Sequence, residues 1–343
     1  MIGGASIVLL LLMSLTLKSE APDSELTWFV FNLSFLVNFP HFLISYQLLY
    51  HDFGSKVFSE LRFFWAAVLV PLILIAILAL GLFSPQPQIL GYLSASMYFF
   101  VGWHYVKQTF GGITVANALE KFYFSGLERK ALKWNLFSLW AISFVIPNVG
   151  QQNFSLNGIT YQSLNLPHGL LSIAYGSLWA SLVFVIYLIV RRYILEGKTP
   201  SHLAIICFLA IYAWYLPALA HPAFMHLIPF FHSLQYLLFA YVFRRNKIEA
   251  TAPAENSPER RLSLISGIYG YILLSALTGG VLMYFLPRFL DSLQLGGSAE
   301  IGPTPFYFSF LIFINIHHYF IDNVIWRGDN PEMKQYLFTT GKS

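Results

Sequence analysis

Apolar positions along the chain gather into ten long stretches separated by short polar segments. They run over 3–17, 27–50, 62–83, 90–118, 132–148, 169–191, 202–220, 222–243, 262–288 and 305–326. A helix needs about 20 apolar residues to cross the hydrocarbon core of a bilayer, and most stretches meet that length. The first is short enough for a signal peptide. It carries no basic n-region and no clear small-residue cleavage site, so a retained helix is expected there.

The polar segments alternate in charge. Those after the second, fourth, sixth and eighth stretches carry, in turn, Lys56 and Arg62; Lys121, Arg129, Lys130 and Lys133; Arg191, Arg192 and Lys198; and Arg244, Arg245, Lys247, Arg260 and Arg261. Arg327, Lys334 and Lys342 follow the tenth. The segments after the third, fifth and seventh have no Lys or Arg, and the one after the ninth has Arg288 alone. The segment after the first sets one Lys against Glu20, Asp23 and Glu25. Cytoplasmic loops concentrate Lys and Arg, so the alternation predicts both termini in the cytoplasm. The expected fold is all-α: a polytopic membrane helical bundle of about ten transmembrane helices. It forms a single transmembrane domain over 1–343 in the cell membrane, the inner membrane of a bacterium. Residues 247–261 (KIEATAPAENSPERR) read as a polar, mobile cytoplasmic loop, and 149–168 as a polar loop on the opposite side. No internal repeat is evident.

Composition strengthens this reading. Hydrophobic residues make up 57% of the chain and charged residues 10%, with a mean hydropathy of +0.61. A soluble domain carries about 25% charged residues. The 33 Phe, 20 Tyr and 8 Trp suit lipid-facing surfaces and interfacial belts, and also a pocket for a long apolar ligand. The net charge of +4 sits in short loops, so it reports topology and no nucleic-acid partner is expected. The one cysteine, Cys207, excludes an intrachain disulfide and a cysteine metal site. No P-loop is present, so ATP-driven function has no support.

Histidine supplies the candidate chemistry. Six of the ten His fall inside the stretches and away from their ends: His41, His104, His226, His232, His317 and His318. Ionisable groups at membrane depth usually face a bundle interior or cavity. Any one of them alone reads best as a satisfied core residue. As a set, His41, His104, His232 and His317–His318 lie on four stretches that run in the same direction. At 1.5 Å per residue they fall in one slab roughly 6 Å thick near mid-membrane. A shared metal site is the simplest cause, because neutral imidazole is the commonest protein metal ligand. Polar residues accompany them at helical spacing: Asn38 before His41, Lys107 and Gln108 after His104, Gln235 and Tyr236 after His232, Asn315 before His318 and Asp322 after it. Such neighbours can orient a ligating ring. Asp322 can instead ligate directly, and Lys107 with Asp322 forms either a buried ion pair or a proton relay. Adjacent residues on a helix point about 100° apart. His317 and His318 therefore either serve two metals, or one ligates while the other packs or gates. The favoured expectation is His318 with Asp322 as ligand and orienter and His317 on a second ion. His51, His168 and His202 read as interfacial or helix-end residues. His221 and His226 read as an entry path or second site.

The segments FPHFLISY (39–46), GWHYVKQTFGG (102–112), FHSLQY (231–236) and NIHHYFID (315–322) resemble membrane His motifs of non-haem iron enzymes. The spread of single His over several helices is similar to that of the bacterial membrane carotene dioxygenase family. In that family a Pro-His element opens the motif series and later His complete an iron site. The matching positions are Pro40–His41, His104 and His232. Phe42 stands where a Gly usually follows the Pro-His pair. His317–His318 resembles, more distantly, the fatty-acid desaturase and hydroxylase superfamily, although no HxxxH box occurs. Together the motifs cover about a tenth of the chain. The resemblance implies an iron (Fe2+) oxygenase of dioxygenase or hydroxylase type acting on a lipid or isoprenoid, in contact with membrane lipids. Zinc in the same site would suit an intramembrane hydrolase. A His/Lys/Asp relay would suit a proton- or ion-coupled transporter, and paired His a haem b protein. The oligomeric state is left open.

Overall fold

Helix is the dominant conformation, as a chain of apolar stretches requires when its backbone groups must be satisfied internally. The computed structural model describes residues 3–8, 23–84, 86, 88–151, 155–156, 159–220, 227–251, 258–295 and 302–338. The helices are α1 (Asp23–Gln47), α2 (Leu61–Phe83), α3 (Gln88–Leu119), α4 (Gly126–Val145), α5 (Gly169–Glu196), α6 (His202–Ala220), α7 (Leu227–Thr251), α8 (258–292), α9 (Pro305–Ile325) and α10 (Pro331–Phe338). A two-residue antiparallel ladder joins Ser155–Leu156 to Ile159–Thr160. Helices α1 to α9 match the second to tenth apolar stretches. Most of the first stretch lies outside the described residues. The segment 247–261 is helical at both ends, because α7 continues to Thr251 and α8 begins at Pro258.

Four helices among the described residues are long and apolar enough to cross a membrane: Leu61–Phe83, Gly169–Glu196, Ile265–Ser292 and Pro305–Ile325. Their burial separates them. The most apolar window of α9 is 67% buried, against 33%, 28% and 28% for α2, α5 and α8. The exposed surfaces of those three are apolar, with Leu72 and Ile75 on α2, Val183 and Ile186 on α5, and Leu273 and Leu277 on α8. Such surfaces suit lipid rather than water. Helix α9 is instead an interior helix.

The chain divides into two compact units, with boundaries inside α3 at Leu93–Ser94 and inside α7 at Phe231–His232. The first unit holds most of α3, then α4, α5 and α6. A capping box starts α4, with Ser125 Oγ accepting from the Glu128 N–H and the Glu128 carboxylate accepting from the Ser125 N–H. A polar seam joins α4 to α5. Trp134 Nε1 donates to Ser177 Oγ at 2.8 Å and Asn135 Nδ2 to Ser181 Oγ at 3.2 Å. Small hydroxylated residues let membrane helices approach and bond across the contact.

In the second unit the packing is set by α1, α2, the C-terminal part of α7, α8 and α9. Helix α2 contains a π-turn at Trp65–Leu69, where the Val70 N–H bonds the Trp65 carbonyl five residues back. Pro71 follows and has no N–H to continue the ladder. Side chains fill the gap: Tyr50 OH donates to the Ala67 carbonyl at 2.7 Å, and His317 Nε2 to the Ala66 carbonyl at 2.8 Å. Helix α8 meets α1 at a glycine. A Cβ on Gly279 would stand 2.7 Å from Phe39 Cβ and 3.2 Å from the Phe39 carbonyl oxygen. One core cluster joins Ile44, Leu48 and Leu49 of α1 and its continuation, Tyr236, Ala240 and Phe243 of α7, and Ile321 and Ile325 of α9.

Candidate metal centre

Three helices of the second unit bring imidazoles together. Pro40 opens the α1 contribution by removing the N–H that would bond the Leu36 carbonyl, and His41 follows it. His232 comes from α7 and His318 from α9. All three are buried, at 1%, 2% and 2% exposure, and one ring nitrogen of each lies within 4.8 Å of the others. His41 Nε2 faces His318 Nε2 at 2.7 Å, while His41 Nδ1 pairs with Ser233 Oγ at 2.6 Å. The His41 and His232 ring centroids are 5.0 Å apart.

A carboxylate completes this arrangement. Asp322 stands one helical turn after His318, with Oδ2 3.4 Å from His318 Nε2. Its other oxygen accepts from Ser45 O–H at 3.0 Å, and Tyr236 O–H donates to Ser45 Oγ at 2.5 Å. The Tyr236 ring also stacks on His41, with centroids 4.2 Å apart. Both oxygens of Asp322 are thus directed, one by two hydroxyls and the other toward an imidazole. Oδ2 stands beside the same His318 nitrogen that faces His41. Asp322 is therefore placed to offer an oxygen alongside that nitrogen rather than to hold the ring from behind, as the sequence spacing suggests. Imidazole nitrogen with carboxylate oxygen suits zinc, iron, copper or nickel. Around a tetrahedral ion with nitrogens at 2.0–2.1 Å, two ligands stand about 3.3 Å apart. The His41–His318 contact needs to open by only a fraction of an ångström to reach that value.

Several sequence expectations resolve differently. His317 lies beside His318 but faces another helix. Its Nε2 donates to the Ala66 carbonyl, so Nδ1 is an acceptor, and Tyr46 OH donates to it at 2.6 Å. Both nitrogens are engaged, so the expectation of a second ion on His317 gives way to a structural role for that ring. Asn315, expected to orient His318, donates its amide to the Leu311 carbonyl of its own helix at 2.8 Å. Tyr236, expected beside His232, serves Ser45 and Asp322 instead. Gln235 is buried on α7 and Asn38 half-buried on α1. In the first unit, His104 is buried on α3, Gln108 is half-buried, and Lys107 is exposed rather than a buried charge. His51, His168 and His202 are exposed at or near helix ends. His221 and His226 lie outside the described residues.

Spacing arguments missed Ser45, Ser233 and Tyr46. Ser45 was within reach of them, since it follows His41 by four residues on the same helix face. Ser233 and Tyr46 carry no such signal, because their partners lie on other helices. No family model matches the chain, and no curated protein or solved structure is similar to it.

Proposed function

We propose that the protein is an intramembrane metal-dependent enzyme, with the ion held by His41, His232 and His318. One observation carries the reading: three buried imidazoles from three helices converge beside a buried carboxylate that two hydroxyls hold in place. Buried ionisable groups in apolar surroundings are costly, and a shared cation would offset that cost for all of them. His104 is proposed as a fourth imidazole on its position along the fourth apolar stretch alone. Iron is the proposed metal, the reaction an oxygenation and the substrate an apolar lipid or isoprenoid. Bound there, iron would supply open positions for O₂ next to a dry pocket. The chain's own residues would fix the His41 ring through Ser233 and the Asp322 carboxylate through Ser45, and their aromatic neighbours would exclude water. Zinc in the same donor set would support hydrolysis instead.

Metal analysis of the purified protein tests this. About one iron per chain is expected, lost in His41→Ala, His104→Ala and His318→Ala and retained in His317→Gln. One zinc per chain would move the reading to a hydrolase. Metal-free protein that is fully folded and active would overturn it. A second reading rests on the hydrogen-bonded line Ser233–His41–His318, with Asp322 Oδ2 3.4 Å from the same His318 nitrogen, which suits a proton path in a transporter. Protein without metal that moves protons across vesicles would favour it.

We further propose the ten-helix topology with cytoplasmic termini. A reporter fused after Lys247 should read cytoplasmic and one fused near Asn157 external. The opposite result at either point removes that topology.

A further inference from the structure

A second feature of the same unit lies along the wall of the metal centre. Helices α2, α8 and α9 line an open cleft of about 290 Å³. Its lining is apolar, with Leu78 and Leu82 from α2, Leu290 from α8, and Phe310 and Phe313 from α9. The exception is Ser309. Ser309 is 4% exposed, and its hydroxyl has no hydrogen-bond partner among the described residues. That is unusual for a serine on an apolar helix, which can return its proton to the carbonyl four residues back. Ser275 does so to Tyr271 at 2.7 Å, and Thr278 to Leu274 at 2.6 Å. Ser309 does not take the corresponding carbonyl of Pro305. A buried hydroxyl without a partner costs free energy of the order of a lost hydrogen bond. Something that enters the cleft with an oxygen would remove that cost.

The cleft also adjoins the metal centre. Ser309, Phe313 and His317 recur every four residues, so they share one face of α9. The Phe313 and His317 ring centroids lie 5.4 Å apart. Phe310 packs in a cluster with Phe42, whose ring lies 5.0 Å from that of His318. Phe313 of the cleft lining thus packs on the ring next to His318, and the cluster that holds Phe310 also holds Phe42 beside His318. At 1.5 Å per residue, Ser309 stands about 13 Å along α9 from His318.

We propose that this cleft binds the hydrocarbon chain of a lipid that carries a hydroxyl or carbonyl oxygen, with Ser309 bonding that oxygen. The apolar lining takes the chain, and Ser309 selects an oxygenated lipid over a plain hydrocarbon. Calling this lipid the substrate rests on the metal-enzyme reading; its binding does not.

Photolabelling of the full-length protein in phospholipid vesicles tests the proposal. The probes are hexadecanol and hexadecane, each with a diazirine at mid-chain, and the labelled residues are mapped by mass spectrometry. Hexadecanol should label the cleft faces of α2 and α9 about fivefold more than hexadecane, the worth of roughly one hydrogen bond. Ser309→Ala should erase that preference while hexadecane labelling persists, and Ser309→Thr should keep it. Ala79→Trp, which fills the cleft from α2, should block both probes. Equal labelling by the two probes in the unsubstituted protein would mean adventitious hydrocarbon only and would overturn the proposal. Labelling that Ala79→Trp leaves unchanged would overturn it too. The same measurement on His318→Ala protein separates the two readings. Preference retained there without metal supports the cleft whatever the metal analysis finds.

Discussion

His41 and His318 meet Nε2 to Nε2 at 2.7 Å, although 277 positions separate them in the chain. At that distance the two rings share one proton, because two protonated nitrogens would repel. His41 is also tied to Ser233 through Nδ1, and Asp322 Oδ2 stands 3.4 Å from the same His318 nitrogen. Rotating the His41 ring away would break its bond to Ser233. The two facing nitrogens and the carboxylate oxygen therefore converge on one point.

This separates two kinds of substitution. Glutamine at position 41 can still hydrogen-bond across the gap but is a poor ligand for a transition metal. His41→Gln should fold and yet lose most of its metal, as measured by metal content after gel filtration. Full metal occupancy in His41→Gln would remove His41 from the ligand set.

His317 predicts the reverse behaviour. Its ring ties α9 to α2 through the Ala66 carbonyl and to α1 through Tyr46. Tyr46→Phe removes one hydrogen bond and leaves Nδ1 buried without its donor, at a cost of about 1–3 kcal/mol. The unfolding midpoint in detergent should fall while metal content stays unchanged. Loss of metal with unchanged thermal stability would show that His317 belongs to the ion after all.

The contrast between the two adjacent histidines shows what the sequence can and cannot convey. Helical spacing made the His318–Asp322 pair visible, and the structure brings those side chains to 3.4 Å. The shared depth of His41, His232 and His318 was equally visible, because depth depends only on counting along helices. The partners of His317 were not. They come from α1 and from a carbonyl exposed by the π-turn and Pro71 of α2, and no spacing within α9 encodes them. The one signal was Pro71 inside an apolar stretch, which must leave a carbonyl without its usual donor. Asn315 misled for the opposite reason, since its amide is satisfied within its own helix. The presence of helices α1 to α9 was legible from apolar length, but not every boundary, since α4 begins six residues before its stretch. The break expected at 247–261 was partly wrong, because charged residues such as Arg245 and Glu249 pair along the helix, at 2.8 Å, and let α7 continue past the apolar stretch.

Gly279 tests how closely the site depends on its surroundings. Its missing side chain lets α8 lie against Phe39, next to Pro40 and His41. Helix contacts in membranes rely on such small residues because no hydrophobic drive pulls the helices together. Gly279→Ala should strain this contact, and Gly279→Leu should push α1 away and displace His41. Metal affinity should fall in the order glycine, alanine, leucine, followed by competition with a chelator. An unchanged affinity in Gly279→Leu would mean that α1 does not need this contact to place His41.

Ser45 and Tyr236 give the most selective test, because neither is proposed to touch the ion. Ser45 O–H donates to Asp322 Oδ1 at 3.0 Å and takes the Tyr236 proton at 2.5 Å. Removing the Ser45 hydroxyl takes away a direct donor to the carboxylate. Removing the Tyr236 hydroxyl loosens Ser45 and leaves the ring stacked on His41. Groups that orient a metal ligand from behind typically contribute 10–100-fold in affinity or activity. Ser45→Ala should therefore weaken metal binding by about tenfold or more, and Tyr236→Phe by less. If both act through Asp322, neither should weaken binding further once Asp322→Asn is present. Chelator competition on the single and double variants measures this directly. Independent, additive losses in Ser45→Ala/Asp322→Asn would show that Ser45 acts on the site by some route other than the carboxylate.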